Sequence, residues 1–460
     1  MPSPIPPLQA ALPADRILLP SSPAFSARNS SYWSRTVRAL QPACIVQPRS
    51  TSEVSSTIRA LAASNTPFAI RSGGHTAWPG ANNISNGVTI DLSLLDHVLP
   101  SGDKTTVTLG PGNTWGRVYA SLAEHGLTVA GGREGNVGVA GLILGGGMAF
   151  FTARHGLACD NVVEFEVVLG DGTVVHATRD GEFGDLFRAL KGGGNNFGVV
   201  TGFRMKAIRD GPVWAGMTVH PKSAVPLAIE ALRGFTDGPD FKDVVVVGAL
   251  IQMAGIEEAP AYKQWLAMPT TATTCKMTTV PQLAMDYSQA KEYHNIWFTA
   301  TFKNDTRVVA KAAELHDQLV EDMKAFIPDG DFITQCLFQP FPRLFGQLST
   351  TSGGNVLGID TQPCNGLLWL AVAQVRTPEQ ERFAYGKVKE WVRAVKEFAA
   401  RIEGNLEWTY LNYADKIQDP LASYGAKNLR FMQEVANKYD PDGVFQTLCP
   451  GGFKVSKAKL

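Results

Sequence analysis

At 460 residues the chain is too long for a single hydrophobic core, so two large lobes are expected. Lys+Arg and Asp+Glu balance at 42 each, which argues against a nucleic-acid partner or an anionic membrane surface and suits a small, mostly uncharged ligand. No apolar run reaches membrane-spanning length. The six cysteines (Cys44, Cys159, Cys275, Cys336, Cys364, Cys449) show neither CxxC pairing nor metal-ligand spacing, so free thiols are expected in place of a disulfide framework or a metal centre.

The chain opens on a Pro-rich arm, residues 1–37, without the basic and apolar regions of a signal peptide. This predicts an intracellular protein, with a secreted one as the alternative if a leader had been trimmed. A strand follows at Ala43 to Val46. Ser52 then caps a helix whose Val54, Ile58, Leu61 and Ala62 form one apolar stripe. Asn65-Thr66-Pro67 stops the helix, and Phe68 to Ile70 starts a second strand that breaks into Arg71-Ser-Gly-Gly-His75. The unit places this turn at the C-terminal end of a strand, where α/β units bind ligands. Adjacent glycines allow close backbone approach, and successive N–H groups form a concave anion site. Read alone, the stretch is equally a tight structural turn with a satisfied histidine.

Strands are expected at Val88 to Leu92 and Thr105 to Leu109, and a helix from Asn113 to His125. The densest glycine region follows, Gly131 to Gly141 and Gly145-Gly-Gly147. It does not sit between a strand and a helix in the dinucleotide-fold manner, which excludes that fold. Asn161 to Leu169, the turn Gly170-Asp-Gly172 and Thr173 to Ala177 read as a hairpin. A helix at Asp185 to Leu190, the loop Gly192 to Gly198 and a strand at Val199 to Ala207 close the first half.

Beyond Pro212 glycines thin out. Strands (Trp214 to His220, Val244 to Ile251, Ile296 to Phe302, Leu367 to Val375) alternate with helices (Ala224 to Phe235, Arg307 to Phe326, Pro378 to Glu403), which predicts a mixed α+β lobe. The strand-like segment Trp408 to Asp415 carries Tyr410, Asn412 and Tyr413, and a helix follows at Ala426 to Lys438. The last three residues, Ala458-Lys459-Leu460, are a variant of the Ser-Lys-Leu peroxisomal address.

As an ordered set, Arg71 to His75, Gly131 to Gly147, Ala158 to Val162, Gly170 to Gly172, Lys191 to Thr201, Asn412 to Asp415, Tyr424-Gly425 and Tyr439 to Pro441 resemble the berberine-bridge-enzyme-like group of FAD-linked oxidases, within the vanillyl-alcohol-oxidase (PCMH-type) superfamily. The resemblance implies an α+β fold: a PCMH-type FAD-binding lobe of two α/β subdomains (38–209), a substrate lobe with a mainly antiparallel sheet covered by helices (210–405), and a C-terminal segment (406–460) that returns to the FAD lobe. It also implies one covalent bond from His75 to the 8α-methyl of FAD, with Arg71, Ser72, Gly73 and Gly74 cradling the pyrophosphate. Val137, Gly138, Gly141, Gly146, Val162, Gly198, Val200 and Asn412 would line the cofactor, Asn412 through flavin or backbone.

Doubly linked members carry a cysteine where this chain has Glu134, so a single link is expected. Many members carry a histidine where Leu142 stands. Val137 matches the residue that governs access of O2 and resembles the oxygen-reactive members. Tyr413 matches the family's base, with Tyr410 and Asp415 placed to tune it; a phenol near pKa 10 needs such help to act near neutral pH. The implied activity is an oxidase that takes a hydride from an alcohol, an amine or an activated C–H centre of a small molecule, with O2 as acceptor and H2O2 as product, in specialised metabolism. A redox-neutral isomerase or cyclase, and a non-catalytic flavin or small-molecule binder, are the alternatives.

Overall fold

The computed structural model describes residues 4–238, 244–246 and 249–459. Its first sheet has four strands in the order Ile17–Leu18, Cys44–Val46, Val88–Asp91, Phe68–Arg71, the last three parallel. The helix Thr51–Ala63 makes the crossover and buries Val54, Ile58 and Leu61. Its cap is Ser50, whose hydroxyl accepts the Glu53 N–H at 3.2 Å, two residues before the expected Ser52. The Pro-rich arm is not featureless. Pro6 and Pro7 sit in the first turn of a helix, Ile5–Ala11, where a missing N–H costs nothing, and Leu8 is buried in the core beside Val54 and Ile58.

The second sheet has five antiparallel strands, ordered Val98–Pro100, Thr106–Leu109, Val199–Lys206, Val162–Val168, Val174–Thr178. The hairpin forms as the turn residues dictate: Asp171 accepts the Thr173 N–H at 2.8 Å. The helix expected over Asn113 to His125 is shorter, Trp115–Ala123. Asn113 is used otherwise, its amide donating to His97 and Gly110 carbonyls and its own carbonyl accepting from Val139.

The second half holds a sheet built on Val213–Val219 and a four-stranded antiparallel sheet. The latter runs Ile333–Phe341, Gly366–Val375, His294–Lys303, Asn405–Leu406. The helices Thr306–Phe326 and Pro378–Arg401 cover it, burying Val308, Ala312, Val388, Trp391 and Val395. One expectation is corrected here, and one strand is new. Val244 to Ile251 is not one strand but two short antiparallel ones, Val244–Val246 and Ala249–Gln252, paired Val244 to Gln252; residues 247–248 lie outside the described ones. Ile333–Phe341, not anticipated, is an edge strand, the one position in a sheet where its Pro340 removes no needed ladder bond.

The tail crosses back to the first half. Trp408 to Asp415 is irregular around a short turn at Leu411–Tyr413, not a strand. Its polar groups find separate partners: Trp408 donates to Leu357 O at 2.9 Å, Thr409 N to Ser423 Oγ at 3.0 Å, and Asn412 to Leu142 O at 3.0 Å. The helix Ala426–Tyr439 anchors on Asp185 through Lys438 (2.7 Å) and Tyr439 (2.6 Å). Lys459 N donates to Asp419, while Leu460, the end of the address-like tripeptide, lies outside the described residues. All six cysteines are free; Cys44, Cys159 and Cys449 are buried. Among the described residues no helix is long and apolar enough to cross a membrane.

Candidate active site

The turn after Phe68–Arg71 meets the glycine region directly. A Cβ on Gly73 would fall 2.5 Å from both Cα and N of Gly138, so two backbones touch where any side chain would part them. Gly74 holds φ +72°, a conformation glycine reaches without strain. The Arg71 guanidinium lies beneath the turn: it stacks 3.7 Å from the Tyr32 ring centroid and donates to Arg28 O and Ser31 Oγ, each at 2.7 Å. Next to it Arg28 pairs with the buried Asp91. The Ser72 hydroxyl donates to Pro111 O at 2.5 Å. These bonds tie both side chains to the protein, while Arg71 Nε is buried without a partner.

His75 stands at the mouth of the turn, its ring stacked on Trp33 at 4.2 Å and 10°. The side chain is 13% exposed and Nε2 is buried without a hydrogen bond. Burial lowers its pKa to about 4, so the imidazole is neutral and nucleophilic at ordinary pH. Glu134 Oε2 lies 3.5 Å from Nε2.

Opposite the turn, the helix Val139–Leu144 buries Val139, Ala140 and Ile143. Its other face shows Gly141, exposed, with nothing within 4 Å of where a Cβ would sit. Val137 is half-buried, its carbonyl accepting from Trp115 N at 3.0 Å. Gly146 packs on Leu357 at φ +101°. Val162 and Val200 are buried in the second sheet, paired with Met205 and Val167, and Gly198 backs onto Val167 and Val168. Side chains so placed meet a ligand only through main chain. The open face at Gly141, the touching glycine backbones and the neutral orphaned imidazole together fit a flat cofactor with a phosphate tail.

The phenol of Tyr413 is the focus of a second cluster. Its oxygen accepts from Arg133 Nη2 at 2.9 Å and from Gln339 Nε2 at 3.3 Å, while the same Arg133 nitrogen donates to Gln339 Oε1 at 2.7 Å. Neither expected tuning residue reaches that oxygen, which is a correction. Tyr410 touches Tyr413 only ring to ring, 4.8 Å at 78°, and its own hydroxyl accepts from Met148 N and the Asn412 amide. Burial raises the pKa of Tyr410, so it makes a poor base. Asp415 instead accepts from Tyr385 OH at 2.8 Å and Ile417 N at 3.0 Å. Asn412 takes the main-chain option, donating to Leu142 O. A seam of rings joins the two clusters: Tyr413 to Trp297 (5.6 Å), Trp297 to Trp33 (5.5 Å), Trp33 to His75.

Arg133 and Gln339 were not anticipated. Arg133 carried a signal, a lone cation inside the glycine region Gly131 to Gly141. Gln339 carried none, because the strand that holds it was not legible.

Glycine backbones in contact beside a histidine are compatible with a flavoprotein, and the comparisons point to one. The FAD binding domain family matches residues 42–178. The chain belongs to a family of FAD-dependent oxidoreductases.

Among its relatives is the FAD-dependent monooxygenase drtC of Aspergillus calidoustus, 37% identical over 451 residues, which cover 94% of this chain and 86% of that protein. The FAD-dependent monooxygenase sdcF of Emericella nidulans is 35% identical, covering 96% of each. Among solved structures, 6-hydroxy-D-nicotine oxidase of Arthrobacter nicotinovorans shares the fold at TM-score 0.77 and 21% identity, over 93% of this chain and 96% of that one. Xylooligosaccharide oxidase of Myceliophthora thermophila does so at 0.76 and 20%, over 98% and 100%.

Proposed function

We propose that this FAD-dependent oxidoreductase is an oxidase of specialised metabolism. It removes a hydride from an alcohol, amine or activated C–H of a small organic molecule and passes the electrons to O2, giving H2O2. FAD, held by one covalent bond through His75, supplies the hydride acceptor. The observation that carries the reading is the Tyr413 oxygen. It receives two donors and sits on the same aromatic seam as His75. Tyr413 takes the substrate proton. Arg133 and Gln339 fix the direction of its oxygen and offset the negative charge it carries as the phenolate that accepts the proton, the bond from the guanidinium being charge-assisted. Trp297 and Trp33 supply flat apolar walls that exclude water. Val137, half-buried on the cofactor side, leaves room for O2.

The names of the relatives favour a second reading, in which one oxygen atom enters the product. A panel of alcohols, amines and phenols, screened for flavin bleaching and then turned over under 18O2, separates the two. Label confined to H2O2 supports the oxidase. Label in the organic product establishes the monooxygenase.

A further inference from the structure

The loop that sends Arg133 to Tyr413 sends the next residue to the other end of the site. Glu134 Oε2 stands 3.5 Å from His75 Nε2, both side chains are 13% exposed, and Nε2 makes no hydrogen bond. The carboxylate is held in place: the main-chain and side-chain nitrogens of Asn136 donate to it at 3.0 Å each, and Gln289 N at 3.2 Å. The imidazole is equally fixed by Trp33, whose indole N–H donates to Ala290 O at 3.0 Å. A buried histidine with only a structural task is normally hydrogen-bonded. Here a neutral imidazole and a buried carboxylate, whose pKa burial raises, face each other just beyond hydrogen-bond reach. That is the arrangement of a proton donor and a base waiting for a reaction.

We infer that Glu134 is the residue that orients His75 and accepts its proton when the covalent link to flavin forms, an inference that rests on the covalent reading proposed above. A neutral imidazole carries one N–H. With Nε2–H directed at Oε2 of Glu134, the free lone pair is on Nδ1, the nitrogen that bonds the 8α carbon. The new C–N bond replaces the imidazole N–H and one C–H of the 8α-methyl. Glu134 takes the first proton and solvent the second. The two electrons of the broken C–H bond stay with the flavin until O2 accepts them, with both protons, as H2O2. Glu134 thus occupies the place of a second tether and serves the first.

The test uses full-length apo-protein from a riboflavin-auxotrophic host, to which FAD is added. Intact mass under denaturing conditions is followed over time beside the amount of FAD bound without a covalent bond. Wild type is expected to gain the mass of one FAD. Glu134→Gln is expected to bind FAD normally but to gain the mass at least tenfold more slowly, and Glu134→Asp to recover most of the rate. Glu134→Gln linking at the wild-type rate would overturn the inference while leaving the His75 link intact. A wild type that binds FAD and never gains mass would instead remove the covalent reading, and this inference with it. Should the Gln variant not fold, Glu134→Ala decides. A slowed link at full FAD occupancy supports the role, and an unchanged rate refutes it.

Discussion

The two walls of the site are made of different material. The cofactor wall is main chain: Gly73 against Gly138, Gly74 at φ +72°, and the bare face at Gly141. The wall proposed for the substrate is long side chains that converge from three distant segments, Arg133, Gln339 and Tyr413, with Trp297 beside them. A main-chain wall suits a ligand that never changes. A side-chain wall can be rebuilt residue by residue without disturbing the cradle, which is how one scaffold serves many substrates.

If that division holds, changes on one wall should leave the other's function standing. Tyr413→Phe is expected to lower kcat/KM by about 10²- to 10⁴-fold, the range of a lost general base, while the FAD content stays at the wild-type level. Steady-state kinetics on a substrate from the panel, with flavin absorbance, checks both. Unchanged kcat/KM would move the base elsewhere on the seam.

A second variant probes what clamps the halves together. Lys191 and Asp160 form a fully buried ion pair at 3.5 Å; Lys191 also donates to Ser352 O, and Asp160 accepts from Ser349 and Asn355 across the boundary. Lys191→Met leaves a buried carboxylate without its cation and should cost about 3–5 kcal/mol, read from denaturant unfolding. A loss under 1 kcal/mol would mean that the halves are held by other contacts.

The C-terminal segment gives a pH signature. Burial raises the Asp440 pKa to about 6 from 3.8, although its oxygens accept Val444 N (2.8 Å) and Phe445 N (2.7 Å). The native state therefore keeps a proton over this window that the unfolded chain releases. The contribution is full below about 3.8 and is lost as pH rises through about 6, roughly 3 kcal/mol in all. Asp440→Asn should flatten that part of the stability profile, measured by urea unfolding at a series of pH values; an unaltered slope would contradict it.

Arg133→Met should have the smallest effect, a ten- to hundredfold loss in kcat/KM, about 1.5–3 kcal/mol for one charge-assisted hydrogen bond, with normal FAD binding. Loss as deep as that of Tyr413→Phe would give the guanidinium a share of the base's work.

The contrast between the walls also explains what could be read before the structure. Glycine clusters announce themselves locally, because close approach and positive φ are demands of one residue, and so the turn at Arg71 to His75 and the region Gly131 to Gly147 stood out. The helices Thr306–Phe326 and Pro378–Arg401 were legible through their long apolar period. The edge strand Ile333–Phe341 was not: Gln335, Gln339 and Pro340 break any alternation, and only pairing with Gly366–Val375 makes it a strand. Gln339 was hidden with it. The protein partners of Arg71 were hidden for a related reason. An arginine beside a Gly-Gly turn suggests an anion, and nothing local shows that Tyr32, from the arm, waits beneath it.

The central claim is that this cradle ends in a single covalent tether. Intact-mass measurement of wild type and His75→Ala under denaturing conditions tests it without needing a substrate. A mass excess of one FAD in the wild type and none in the variant is the expected result. An unmodified wild type, or a modified His75→Ala, would contradict it.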